Sequence, residues 1–219
     1  MLAVKEHQFL AYIRENLAPN DIGNPEAVLK LADEFGRKQW LMAVGDTKGG
    51  IIDDVVRVRN PKVMIELGCY CGYSATRFAR LLQGEDSHYY SFEMNEVYAD
   101  IARQIFELAG LSHKITIITG PFEETFRLLS STYNVQTVDL VFIDHAKDRY
   151  LHDLLLLQNQ STYLKPGTII VADNIIKPGV PDYLEYAMNT DTLRSRMVET
   201  EFEYTTTGEK DALVVSEVL

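Results

Sequence analysis

The chain has 219 residues, 46% of them hydrophobic, and carries a formal net charge of -11 with a sequence pI near 4.9. This is enough apolar material for a real core in one α/β domain spanning 1–219. The acidic balance excludes a general polyanion binder, which needs clustered Lys and Arg to neutralise phosphates, so no nucleic-acid partner is expected.

Residues 1–60 read as helices, "EHQFLAYIREN" and "NPEAVLKLADEFGRKQWLMAV", with no strand. They are expected to lie over the active edge of a sheet built by residues 61–219. The opening "MLAVKEHQFLAYIREN" is interrupted by charge too early for a secretory signal. No apolar run approaches the ~20 residues that span a bilayer, so no membrane partner and a cytoplasmic location are expected. From Pro61 short apolar runs alternate with amphipathic stretches, the pattern of a parallel sheet with helices on both faces. The strand candidates are "VMIEL" (63–67), "HYYSFEM" (88–94), "ITIITG" (115–120), "VDLVFID" (138–144) and "GTIIVADN" (167–174). Between them Ala75, Phe78, Ala79 and Leu82 recur at helical spacing, as do Val97, Ile101, Ile105 and Leu108. The end differs. "MVETEFEY" and "DALVVSEVL", joined by "TTTGEK", predict a hairpin turning at Gly208, so that an antiparallel pair closes a seven-stranded, mostly parallel sheet.

In open parallel sheets ligands settle beyond the carboxyl ends of the strands, near the point where strand order reverses. The first such end is "IELGCYCGYS". Gly68 and Gly72 permit close backbone approach, and a helix starting near Tyr73 would aim free N–H groups at an anionic group. A purely structural turn uses two glycines equally well. The two cysteines, Cys69 and Cys71, are too close together for an unstrained disulfide and lack further zinc ligands. The second strand ends in Glu93, placed to accept hydrogen bonds from the hydroxyls of an adenosine ribose, or simply a solvated acid. Nicotinamide dinucleotides and S-adenosylmethionine share this geometry, but "GCYCG" lacks the middle glycine of the dinucleotide fingerprint. A smaller ligand with an amino acid end is favoured. Glu66 beside the loop suits a positively charged cofactor, and Tyr70 within it is counted with the cofactor contacts.

The fourth strand stops abruptly in "DLVFIDHAKDRY", where apolar residues give way to Asp-His-Ala-Lys-Asp. A buried strand has no structural need of such an ending. With "VADN" at the fifth strand end, it gathers Asp144, Asp173 and Asn174, hard oxygen donors that select magnesium or calcium over zinc. Three protein ligands would leave magnesium open positions for water and substrate. Lys147 can turn back into the same mouth. A lysine amine, with pKa about 10.4, is protonated at neutral pH, and a neighbouring divalent cation favours the neutral base. The alternative for Lys147 is a surface pair with Asp148. His145 is either a cofactor contact or a capping residue.

Together, "WLMAVGDTKGGIID", "IELGCYCGYSA", "FIDHAKDRY", "ADNIIKPGVPD" and the late "FEY" resemble the catechol O-methyltransferase family in order and spacing, from about Trp40 to the C-terminus. The resemblance implies a Rossmann-like class I methyltransferase fold and magnesium-dependent transfer of a methyl group from S-adenosylmethionine to one hydroxyl of a catechol. It implies Asp144, Asp173 and Asn174 as metal ligands, Lys147 as catalytic base and Glu203 as the acid that hydrogen-bonds the catechol. Val44, Gly68 and Ser74 match contacts to the methionine end, Glu93 the ribose acid, Met94 and His145 neighbours of the adenine, and Met42 a residue flanking the methyl donor. Asp144 is counted with these contacts as well. Trp40 and Pro178 match apolar walls of the catechol slot, which Lys147, Asn174 and Glu203 complete. Two positions depart from the family. Ala146 stands where animal members usually carry a tryptophan, and Glu123 where a glutamine often sits near the adenine amino group.

Two other readings share these features: a nicotinamide-dependent oxidoreductase, handicapped by the glycine spacing, and a non-catalytic S-adenosylmethionine-binding protein. An amino-group methyltransferase acting on nucleic acid would need an Asn/Asp-Pro-Pro-aromatic stretch after the fourth strand, and there is none. The sequence leaves the oligomeric state open, with a monomer as the working expectation.

Overall fold

Three α-helices and a short 3-10 turn (Pro19–Asp21) precede the first strand in the computed structural model, which describes residues 3–159, 162–205 and 208–219. The helices are α1 (Val4–Asn16), α2 (Pro25–Lys38) and α3 (Gly45–Arg59). Asn24 starts α2: its side chain accepts from the N–H groups of Glu26 and Ala27 at 3.1 and 3.4 Å, with Pro25 in the first turn where its missing N–H costs nothing. The apolar stretch 24–44, expected as one helix, stops at Lys38. Beyond it Leu41 is buried while Trp40 and Met42 are exposed, the in-and-out alternation of an extended chain. That extension carries Trp40, Met42 and Val44 to the edge of the sheet.

The alternating region follows the expected order. It runs β1 (Val63–Leu67), α4 (Tyr73–Ala79), β2 (His88–Glu93), α5 (Glu96–Leu108), β3 (Ile115–Thr119), short α6 (Phe122–Thr125) and α7 (Leu128–Ser131), β4 (Leu140–Ile143), α8 (Tyr150–Asn159), β5 (Ile169–Ala172), α9 (Pro181–Asn189), β6 (Leu193–Glu201) and β7 (Lys210–Val218). The seven strands lie in the order β3-β2-β1-β4-β5-β7-β6. Strands β1 to β5 pair in parallel, and β7 runs antiparallel to both β5 and β6. Strand order therefore reverses between β1 and β4, and a crevice opens there.

Both faces of the sheet are covered, which is why its strands read as nearly continuous apolar runs. Strand alternation sends Met64 into one core with Phe9, Ile13, Val28, Ile52 and Phe78 of the early helices. Ile65 and Leu67 point to the other, with Leu154 and Leu157 of α8 and Tyr183 and Ala187 of α9. The hairpin differs from expectation. Strand β6 ends at Glu201, so Glu203 and Tyr204 lie in the connection to β7 rather than on a strand. Thr206 and Thr207 of the expected turn lie outside the described residues. No described helix is long and apolar enough to cross a membrane.

Candidate active site at the strand ends

A cavity of about 840 Å³ opens beyond the carboxyl ends of β1, β2, β4 and β5. Its tightest backbone junction is at Gly68. With φ +98° and a hypothetical Cβ only 2.4 Å from the Asp144 carbonyl oxygen, no side chain fits where the loops after β1 and β4 meet. Glu93 is clamped by main chain: its Oε2 accepts from the Tyr70 N–H and its Oε1 from the Asn95 N–H, each at 2.8 Å. Burial pushes its pKa up, and these backbone hydrogen bonds oppose the shift. The carboxylate is fixed in the cavity wall beside Gly68, Tyr70, Ser74 and Met94.

His145 lies flat against the Tyr150 ring, with centroids 5.1 Å apart and an interplanar angle of 6°. Its Nε2 sits 2.9 Å from Asp153 Oδ2, while its buried Nδ1 has no partner among the described residues. A polar ring atom is thus left over in a cavity-lining residue.

One proposed cofactor residue behaves differently from the reading above. Glu66 does not line the cavity. The β1 alternation turns it inward with Met64, and it has no accessible surface and takes a hydrogen bond from Ser91 Oγ. Burial pushes its pKa up to about 8 despite hydrogen bonds from its neighbours, so the carboxyl is mostly protonated at neutral pH rather than a ready partner for a cation. Glu123 lines the cavity; its Oε2 accepts from Arg149 Nη2, and its Oε1 accepts no hydrogen bond among the described residues.

The oxygen donors do converge. Ile143 pairs with Ala172, and the Asp173 N–H donates to the Ile143 carbonyl at 3.1 Å, so Asp144 and Asp173 leave neighbouring strand ends together. Asp144 Oδ1 accepts from Lys147 Nζ at 2.8 Å, and Asp173 Oδ1 accepts from Lys48 Nζ at 2.7 Å and from the Asn174 N–H at 2.6 Å. Asn174 donates through Nδ2 to Asp211 Oδ2 at 3.2 Å. Among the described residues, Asp144 Oδ2, Asp173 Oδ2 and Asn174 Oδ1 receive no hydrogen bond, leaving one oxygen on each. Asp144 and Asn174 line the cavity, with Asp173 buried behind them. No three His, Cys, Asp or Glu side chains form a metal-holding group among the described residues, so a cation here relies on the mixed set of two carboxylates and one amide. That set fits a hard, oxygen-preferring dication.

Behind it lies a buried lysine that the sequence reading missed. Lys48 has no accessible surface and meets Asp173 at 2.7 Å, Glu203 at 2.7 Å and Asp211 at 3.0 Å. Burial alone would discharge it, but the carboxylates override that penalty and hold its pKa above the ordinary lysine value. Asp173 is pushed up by its own burial and by the negative charge of Asp144, and Lys48 opposes this. Among the described residues, the carboxylates of Asp173, Glu203 and Asp211 gather around Lys48 Nζ, and that of Asp144 meets Lys147 Nζ.

Of the other sequence-derived residues, Trp40, Met42, Val44, Lys147, Pro178 and Glu203 all reach the cavity wall, and Ala146 leaves a small side chain there. Phe202, also on the wall, was missed although "FEY" contains it. Its ring stacks on Trp40 with centroids 6.2 Å apart. Lys48 did carry a signal: Lys48, Ile52 and Val56 share one face of α3, so its charge sits on a buried stripe. Asp211 carried none.

A family model described as O-methyltransferase matches residues 23–199. Among curated proteins, the catechol O-methyltransferase of Mus musculus is 40% identical over 205 residues, covering 93% of this chain and 76% of that protein. The catechol O-methyltransferase B of Danio rerio is 43% identical over 184 residues, covering 84% and 69%. Among solved structures, an O-methyltransferase of Bacillus cereus in complex with SAH superposes with a TM-score of 0.75 at 21% identity, covering 95% of this chain and 96% of that one. An O-methyltransferase of Streptomyces achromogenes, in complex with SAM, gives 0.74 at 20% identity over 100% and 99%. At these identities the structures establish the shared Rossmann-like fold.

Proposed function

The chain belongs to the O-methyltransferase family, and we propose that it transfers the methyl group of S-adenosylmethionine to one hydroxyl of a catechol held at a magnesium site. Family membership favours methyl transfer over the hydride chemistry of the nicotinamide reading. The observation that carries the substrate class is the trio of oxygens on Asp144, Asp173 and Asn174, unclaimed among the described residues and next to Lys147. The relatives named as catechol O-methyltransferases support the same reading.

S-adenosylmethionine supplies an electrophilic methyl group. Glu93 would take its ribose, the loop of Gly68, Tyr70 and Ser74 its methionine end, and Met94, His145 and Glu123 the surroundings of the adenine. Asp144, Asp173 and Asn174 would hold a magnesium ion, which would supply Lewis acidity to lower the pKa of a phenol that is otherwise near 10. Lys147 Nζ accepts the hydroxyl proton, held in place by Asp144 Oδ1 and Tyr150 Oη, each at 2.8 Å. Glu203, secured by Lys48, takes the second hydroxyl. Trp40, Met42, Pro178 and Phe202 wall the slot against water, which would otherwise stabilise the separated charges of the reactants. Holding oxygen and methyl carbon in line supplies much of the remaining acceleration.

The test is a methylation assay of small catechols against monophenols, with magnesium and with excess chelator. Catechols are expected to react, monophenols to be poor, and chelation to abolish turnover. Undiminished activity in chelator, or equal rates on monophenols, would overturn the magnesium-catechol reading.

A further inference from the structure

The wall of the catechol slot is fastened at a residue that does not line the cavity. Asp33, on α2, is almost completely buried and does not line the cavity. Its Oδ1 accepts from the Tyr204 hydroxyl at 2.9 Å and from the Tyr73 hydroxyl at 2.7 Å. Tyr73 opens α4 and lines the cavity, and its hydroxyl accepts in turn from Arg77 Nη1 at 3.1 Å. Tyr204 belongs to the connection after β6 and directly follows Phe202 and Glu203, both on the cavity wall.

The same face of α2 is shaped to seat the Tyr204 ring. Gly36 lies three residues after Asp33, hence on the same side of the helix. A Cβ added at Gly36 would stand 2.7 Å from the Tyr204 ring. Gly45 closes the seat from the other side: its Cβ would lie 3.0 Å from Glu203 Cβ and 3.6 Å from the Tyr204 ring. A bare helix surface and a buried carboxylate thus form a socket for one tyrosine.

We propose that Asp33 is a positioning residue that latches the 202–205 segment onto α2 through Tyr204, setting where Phe202 and Glu203 stand against the substrate. Lys48 holds Glu203 from inside the site and Asp33 holds its neighbour from outside. Because Asp33 also takes the Tyr73 hydroxyl, one carboxylate ties the substrate wall to the start of α4. The substrate part of this inference rests on the catechol reading; the latch itself does not.

Two measurements on Tyr204→Phe, Gly36→Ala, Asp33→Leu and Asp33→Asn keep them apart. The first is amide hydrogen exchange over residues 202–205. Tyr204→Phe and Asp33→Leu lose a hydrogen bond to a charged acceptor, so exchange there should be about tenfold faster. Gly36→Ala improves helix propensity in α2 yet crowds the ring, so it should loosen 202–205 without loosening α2. Asp33→Asn retains an acceptor and should recover most of the protection. Unchanged exchange in Tyr204→Phe and Gly36→Ala overturns the latch whether or not the wild type methylates catechols. The second measurement is steady-state kinetics with calorimetric S-adenosylmethionine affinity. The loosened variants should raise KM for the catechol about tenfold while cofactor affinity stays within about twofold. Faster exchange with an unmoved KM would leave Asp33 purely structural, and cofactor affinity falling in step with KM would do the same. A wild type inactive on every catechol would sink the catechol reading and, with it, the substrate half of this inference.

Discussion

The two halves of the cavity are held together by different means. On the side proposed for the cofactor, around β1 and β2, backbone does the holding: Gly68 lets two loops touch, and Glu93 is gripped by the Tyr70 and Asn95 amides. On the substrate side, around β4, β5 and β7, distant side chains do it. Lys48 reaches Asp173 across 125 residues of sequence and Asp211 across 163. The first half depends on local chain geometry and the second on buried charge balance, so the two should fail in different ways.

The largest expected effect is on the substrate side. Lys147→Met should lower kcat by about 10²–10⁴-fold, the range for a lost general base, and leave S-adenosylmethionine affinity intact. Initial rates and calorimetry check this, and an unchanged kcat removes Lys147 from the mechanism. Lys48→Met leaves Asp173, Glu203 and Asp211 buried without their shared cation. Breaking a buried pair typically costs about 3–5 kcal/mol, so urea unfolding should show a loss of that order, smaller at low pH where the carboxylates protonate. A loss below about 1 kcal/mol would show that the charge cluster is not what holds this half.

The cofactor side should respond through its backbone. Gly68→Ala imposes a side chain at φ +98° against a carbonyl oxygen. The conformation alone costs about 1–3 kcal/mol, and cofactor affinity should fall with stability. Wild-type affinity in that variant would contradict a backbone-held loop. The remaining effect concerns Glu66 and is read only as a pH dependence. Its pKa of about 8 in the folded protein exceeds the ordinary carboxyl value of 4.5, so the folded state keeps a proton that the unfolded chain releases between those values. Its contribution to stability is therefore complete below about pH 4.5 and is lost as pH rises through about 8. Glu66→Gln should flatten that part of the Tm profile, and superimposable profiles would refute a protonated Glu66.

The same contrast explains what could be read in advance. The gathering of Asp144, Asp173 and Asn174 at one cavity was legible because two apolar strands stop abruptly just before them and parallel pairing brings such ends together. Glu66 was misplaced because a residue next to a ligand loop still obeys strand alternation, which turns it inward. The helix over 24–44 was overextended because apolar residues at 40–44 fit a helical stripe as well as they fit a cavity rim.

By itself the sequence determined the βα alternation, the strand ends that open on the cavity and the turn glycines, since all of these follow from periodicity and local backbone chemistry. Only the tertiary structure decided the partners of Lys48, the socket for Tyr204 and the pairing of Glu123 with Arg149. Those contacts join residues far apart in the chain, and the energy of a buried charge or hydroxyl depends on what surrounds it in space.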